Sequence, residues 1–192
     1  MKFQESALAH KYLDGLEGIE IGGSAHNPFG LNTINVDYTD SMDTPFKLEE
    51  QEICGEKLHV DVVSEGDKLP FQDKSFDFVI SSHVIEHFYD PIKALLEWQR
   101  VARKYIFIIC PHKERTFDAP RGVTSLQDLI SRHEMTLIPS DADDRSHKSV
   151  WDTKTFLELC KYLDLNVIKY EDVDEKVGNG FTILIQIKDE NV

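Results

Sequence analysis

The sequence predicts an α/β domain built on a mostly parallel sheet and closed by an antiparallel hairpin. Three observations point there. Short apolar runs alternate with segments of helical period, as expected of strands covered on both faces by crossover helices. The strongest run, "FDFVISS" at 76–82, is nearly continuous in apolar residues and leads to a capped helix. The chain then closes on two β-rich runs joined by a loop with a tight Gly-Asn-Gly at 178–180.

The elements follow in order. Residues 4–14 carry a weakly amphipathic helix with Leu8, Tyr12 and Leu13 inward. A strand at 18–21 runs into Gly22 and Gly23, and a second, "TINVD" at 33–37, ends in Asp37. Residues 22–32 leave room for a short crossover helix or none. A short helix is expected at 46–54, then a third strand, "KLHVDVV", at 57–63. After the fourth strand, Asp90 can cap a helix whose first turn accepts Pro91. Leu95, Trp98, Ala102 and Tyr105 would share one face of that helix, flanked by Ile92 and Leu96. "YIFIICPH" at 105–112 is the fifth strand, broken by Pro111. Thr124 and Gln127 suggest a reciprocal cap on a helix carrying Leu126, Leu129 and Ile130. Asp152 begins another, with Phe156, Leu157, Cys160 and Leu163 inward.

Length and composition bound the reading. The 192 residues suffice for one domain with a sizeable core, so 1–192 is read as a single unit with an insert at 113–150. Asp and Glu total 35 against 21 Lys and Arg, a formal charge of -14. That balance argues against nucleic acid or an anionic membrane as partner, since both are gripped by clustered cations. Cys54, Cys110 and Cys160 are scattered and odd in number, which suits buried apolar groups better than a disulfide framework. The first residues lack an apolar signal core and no run reaches spanning length, so a cytoplasmic location is expected. A homodimer is compatible with these features.

In sheets of this kind ligands bind beyond the carboxyl ends of the strands. Those ends carry Gly22, Asp37, residues 63–67, Ser82, His83, Pro111 and His112. Polar residues gather there, which marks the expected site.

In that order, "IEIGG", "NVD", "EGDKLPFQDKSFDFVISS" and "HVIEHFYDP" resemble the Rossmann-like class I methyltransferases that use S-adenosyl-L-methionine. The match in order spans about 17–112, and the closing hairpin agrees with that family's sheet. The resemblance implies a cofactor site made by Glu20, Gly22, Gly23, Ser24, Asp37, Glu65, Gly66 and Ser82. Asp37 would accept from the ribose hydroxyls, and Glu65 or the backbone at Gly66 and Asp67 would reach the adenine edge. Glu20 would orient the loop or meet the methionine ammonium through water. Gly22 and Gly23 let the backbone approach without a Cβ. Phe71 and Phe76 read as core, one of them edging the adenine pocket. "EIG…NP" before "VD", with "PHKERTFDAPRGVTS" and a later His before Trp, also resembles methyltransferases found among glycan and secondary-metabolite biosynthesis proteins. A small-molecule or glycan-intermediate substrate follows as an expectation.

The departures carry information too. The family's loop has glycine at alternate positions, whereas Ser24 and His26 stand at two of them here. "SAHNPFG" must therefore take another path, with Ser24, His26 or Asn27 able to supply a polar contact.

Methyl transfer needs in-line alignment and, for a hydroxyl or protonated amine, a base. His83, His112 and His147 are the candidates, histidine being suited to proton transfer near neutral pH. His87, four residues after His83, would share a helical face with it in a structural role. Arg115 and Arg121 are candidate binders of an anionic group on the substrate. Imidazoles with Asp118 or Asp141 could hold a divalent ion, but nothing in the spacing demands one, and no metal is assigned. The 113–150 insert is read as a partial lid. Two other readings share these features: a nicotinamide-dependent dehydrogenase, and a methyltransferase fold that binds without catalysing. An antiparallel last strand inserted in the sheet would separate the first of these from a methyltransferase.

Overall fold

The structure, a computed structural model, describes residues 1–135 and 146–188. Seven strands form one sheet in the order β3-β2-β1-β4-β5-β7-β6. They are β1 (Gly18–Ile21), β2 (Thr33–Asp37), β3 (Val62–Val63), β4 (Phe76–Ser82), β5 (Ala102–Pro111), β6 (Asn166–Glu171) and β7 (Gly180–Gln186). The first five pair in parallel; β7 runs antiparallel between β5 and β6. The helices are α1 (Ala7–Leu13), α2 (Pro45–Cys54), α3 (Pro91–Val101), α4 (Leu126–Met135) and α5 (Thr153–Tyr162).

The period-two alternation of the central strands divides the core between two faces. Val79, Ile106, Ile108, Ile183 and Ile185 pack on one side with Leu95 and Trp98 of α3 and Phe156 and Leu159 of α5. Phe78, Ile80, Phe107, Ile109 and Leu184 face the other way, onto Leu8, Ala9 and Leu13 of α1 and onto Phe29. Every strand residue named here is at most 1% exposed, which explains the near-continuous apolar runs.

Local rules account for the helix starts. Ser6 Oγ accepts from Ala9 N, Thr44 Oγ1 from Lys47 N, Asp90 Oδ1 from Lys93 N and Asp152 Oδ1 from Thr155 N. Pro45 and Pro91 occupy first helical positions, where a missing N–H costs nothing.

Four expectations need correction. The third strand is only Val62–Val63: just before it the Asp61 carboxylate, not a ladder carbonyl, accepts from Asn35 N of β2 at 2.8 Å, and His59 O accepts from the Asn35 side chain instead. Helix α3 stops at Val101 and passes directly into β5, so Ala102 and Tyr105 lie on a strand. Asp77, at the start of β4, draws Arg103 to 3.4 Å and Lys104 to 3.1 Å and fixes that switch. The cap of α4 is Ser125, whose Oγ accepts from Asp128 N, while Thr124 Oγ1 accepts from Val150 N. The turn after β4 is a single 3-10 turn, Ile85–His87, with His83 at φ 56°, so His83 and His87 do not share an α-helical face.

Candidate active site

The site grows from the loop after β1. No helix forms across 22–32; the chain turns at 24–27, where Asn27 N donates to Ser24 O at 3.1 Å. It then drives Phe29 into the core against Phe107, the rings edge-on with centroids 6.1 Å apart. The buried Lys176 clasps this path, donating to Pro28 O at 2.5 Å and Gln4 O at 2.8 Å. Asp174 shapes the segment carrying Lys176 by accepting from the N–H groups of Lys176, Val177, Gly178 and Gly180. Loop and hairpin therefore support one another.

Glycines bring the backbone to the cleft wall. Gly22 sits at φ 65°, and a Cβ there would lie 2.7 Å from Val84 Cγ2. A Cβ at Gly23 would meet Asn35 Oδ1 at 2.7 Å, the atom that accepts from Gly23 N at 3.0 Å. One at Gly66 would strike Phe88 at 2.8 Å and Ile21 at 2.9 Å. The shape of this wall depends on missing side chains.

The resulting cleft, about 730 Å³, runs across the carboxyl ends of β1, β2 and β4. Gly22, Gly23, Ser24, Asp37, Glu65, Gly66 and Ser82 all line it, as do His26 and Asn27. Ser24 Oγ meets His26 Nδ1 at 2.6 Å, and Asn27 Nδ2 donates to Ser82 Oγ at 3.0 Å. Asp37 accepts from Tyr38 N at 2.8 Å; burial raises its carboxyl above the usual range, and that bond opposes the rise. Phe46 and Phe88 provide apolar wall. Phe71 and Phe76 pack edge-on at 4.9 Å against the core and are absent from the cleft lining.

Glu20 lies beneath the loop rather than on the cleft wall. Thr33 Oγ1 donates to it at 3.5 Å, and burial pushes its carboxyl up to about 7 against the pull of Lys176.

At the other end of the cleft, His83, Glu86, His87, Phe117 and His147 converge. Glu86 is fully buried. Its Oε1 stands 3.9 Å from His83 Nδ1, 3.7 Å from His87 Nε2 and 3.8 Å from His147 Nε2. Burial pushes the Glu86 carboxyl up to about 8 and holds His83 down at about 4. His147 Nδ1 meets Asp118 Oδ2 at 2.5 Å, and Phe117 packs on the His147 ring at 4.5 Å between centroids. Lys148 N and Ser149 N both donate to Glu86 O, which ties the far part of the insert to the β4 turn.

The remaining candidates lie elsewhere. His112 borders a separate, open depression with Asp152, Thr153, Leu157 and Asp172; its Nδ1 accepts from Glu114 N at 3.2 Å. Arg115 donates to the carbonyls of Asp172 and Gly180, holding the hairpin end. Arg121 donates to Asp118 Oδ1 at 2.6 Å and His147 O at 2.9 Å. Neither arginine lines the large cleft. Asp141 falls outside the described residues. Glu86 was missed in the sequence because "VIEH" reads as the apolar start of a helix. The signal was a carboxylate between apolar residues and two histidines.

A cleft at the carboxyl ends of a sheet whose antiparallel last strand is inserted beside β5 is the arrangement of the class I methyltransferase fold. Comparison with known proteins agrees. A methyltransferase domain model matches residues 21–110. An S-adenosylmethionine-dependent methyltransferase from Aquifex aeolicus superposes with a TM-score of 0.54 at 16% identity, covering 94% of this chain and 87% of that one. One from Methanosarcina mazei gives 0.56 at 16% identity, covering 97% and 98%. An uncharacterized protein of Methanocaldococcus jannaschii is 38% identical over 73 residues, 38% of this chain; the match spans 28% of that relative's length. The chain is thus similar in fold to class I, Rossmann-like S-adenosylmethionine-dependent methyltransferases, and its residues 21–110 match a methyltransferase domain model.

The residues present suit S-adenosyl-L-methionine, the cofactor of this class. Gly22, Gly23 and Gly66 line the cleft without side chains, and Asp37 offers a carboxylate at the end of β2. Among the described residues, no helix is long and apolar enough to cross a membrane.

Proposed function

We propose that the chain transfers a methyl group from S-adenosyl-L-methionine to a hydroxyl or amine of a small molecule or glycan intermediate. The observation that carries this reading is the polarity of the cleft: Asp37 and Glu65 at one end, His83 and His147 at the other. Asp37 would hold the ribose and the Glu65–Gly66 backbone the adenine edge, while the loop at 22–24 would pass under the amino-acid part. When bound, the cofactor supplies an electrophilic methyl on a positively charged sulfur.

This chain's residues align the acceptor and take its proton. His83 follows Ser82 at the end of β4, and its Nε2 has no hydrogen-bond partner among the described residues. Its Nδ1 stands 3.9 Å from Glu86 Oε1, and in the tautomer with the proton on Nδ1 the Nε2 lone pair is free to accept. His83 Nε2 would take the proton that the acceptor's oxygen or nitrogen gives up on methylation, the methyl being supplied by the bound cofactor. His147, fixed by Asp118, would position the acceptor from the cleft wall, with Phe117 beside it helping to exclude water.

Calorimetric titration with S-adenosyl-L-methionine tests the reading. Saturable one-to-one binding is expected; no saturable heat up to millimolar ligand would overturn it.

A further inference from the structure

We infer that Glu86, His87 and His147 form a binding site for a divalent transition-metal ion at the acceptor end of the cleft. The inference rests on the cleft serving as the methyltransferase site only for what the ion would do there, not for its binding.

One carboxylate oxygen and two imidazole nitrogens, one from each residue, lie within 4.8 Å of one another. Glu86 Oε1 is central, 3.7 Å from His87 Nε2 and 3.8 Å from His147 Nε2. Those separations are too long for hydrogen bonds. They approach the spacing of about 3.4 Å between ligands that each stand about 2.1 Å from a tetrahedral ion. Small side-chain rotations would close the difference.

Two independent features point to a ligand. Glu86 is fully buried, yet neither Oε1 nor Oε2 has a hydrogen-bond partner from another residue among those described. A buried carboxylate left so is costly unless a cation or donor meets it. His147 meanwhile turns Nδ1 to Asp118 Oδ2 at 2.5 Å and Nε2 to Glu86. A carboxylate behind the far nitrogen of a ligating histidine fixes its tautomer and raises its basicity, the usual outer support of metal-bound imidazole. Asp118 is itself held by Arg121 at 2.6 Å, so this support is firm.

The donor set narrows the ion. Two imidazoles and one carboxylate suit zinc, cobalt, iron or manganese better than calcium or magnesium, which prefer all-oxygen shells. Three protein ligands leave positions open, and all three residues line the cleft. The open positions would take a hydroxyl of the acceptor, or a neighbouring pair, lowering its pKa and fixing its angle to the methyl group. His83, outside the ligand trio, stays available for the proton.

The test uses the full chain, stripped with chelator, and cobalt(II) and zinc(II) as probes without cofactor or acceptor. One equivalent of cobalt should bind with visible ligand-field absorption and be displaced by zinc. Glu86→Gln, which keeps shape and removes the ligating carboxylate, should weaken zinc binding at least 100-fold, as should His147→Gln. Asp118→Asn should weaken it 10- to 100-fold. Circular dichroism of each variant separates lost ligands from lost fold. Wild-type protein holding well under one equivalent, or unchanged affinity in folded Glu86→Gln and His147→Gln, would overturn the site. Either failure would leave S-adenosyl-L-methionine binding intact, whereas failure of the methyltransferase reading would remove cofactor binding and leave the metal.

Discussion

Asp118 and His147, 29 residues apart in sequence, meet through a 2.5 Å contact between Oδ2 and Nδ1 and are both nearly inaccessible to solvent. Arg121 closes the unit by donating to Asp118 Oδ1 and His147 O. Removing the carboxylate strips two donors of their acceptor at once. Asp118→Ala should therefore destabilise the protein by about 1–3 kcal/mol, with Asp118→Asn costing less because one acceptor oxygen survives. Urea denaturation measures both. Equal midpoints for wild type and Asp118→Ala would show that this junction does not hold the insert.

Asp37 terminates β2 and lines the cleft, and among the described residues its carboxylate accepts from Tyr38 N at 2.8 Å. Its substitution should act on the cofactor and spare the fold. Asp37→Ala is expected to weaken S-adenosyl-L-methionine binding by 10- to 100-fold, about 1.4–2.7 kcal/mol, with little change in the ligand-free melting temperature. Asp37→Glu should lose less if the carboxylate accepts from the ribose. Unaltered affinity in Asp37→Ala would place the ribose elsewhere.

The sequence made the sheet legible because its strands are covered on both faces, so burial wrote itself into apolar runs such as 76–82 and 105–110. Caps at Asp90 and Asp152 were equally direct, since a short side chain before a helix has few other uses. The short third strand was harder: the Asp61 carboxylate accepts from Asn35 N in place of a ladder carbonyl, a long-range exchange no local pattern announces. The glycines, Asp37 and Ser82 could be placed on the cleft because strand ends converge in this topology. Arg115 and Arg121 illustrate the opposite case. An arginine in an insert looks the same in sequence whether it faces a substrate or, as here, backbone carbonyls. Lys176 was invisible for a similar reason: its role depends on the loop after β1 taking an unusual path to reach it.

Gly22 combines two constraints that can be separated. Its φ of 65° disfavours any side chain, and its Cβ direction points at Val84 Cγ2, 2.7 Å away. Gly22→Ala should cost about 1–2 kcal/mol from the backbone alone, and more from the collision. Adding Val84→Ala should remove the collision and leave the backbone cost, so the double variant should be more stable than the two single losses predict. Thermal or urea unfolding of the four proteins gives the cycle. Strict additivity would mean that the chain relaxes away from Val84 without cost.

Glu20 supplies the pH dependence that is simplest to isolate. It is 7% exposed, and its folded-state pKa of about 7 lies above the ordinary 4.5, chiefly through burial. Lys176, Thr33 and Lys47 oppose that rise. Below the ordinary value, both folded and unfolded chains carry the proton and Glu20 contributes no difference. Between 4.5 and about 7 the unfolded chain releases the proton while the folded one retains it, so stability falls as pH rises through this window. Above it both states are ionised and the cost is constant. Lys176 is pulled down only to about 8, so it stays charged over the same range. Glu20→Gln removes the titration while keeping a polar group beneath the loop. The stability of the variant relative to wild type should therefore climb between pH 5 and 7, by up to about 3 kcal/mol. Urea midpoints across that range, taken as a difference between the two proteins, cancel the other titrating groups. A difference that is flat with pH, or that falls, would show that Glu20 is ionised at its ordinary pKa and that Lys176 fully compensates its burial.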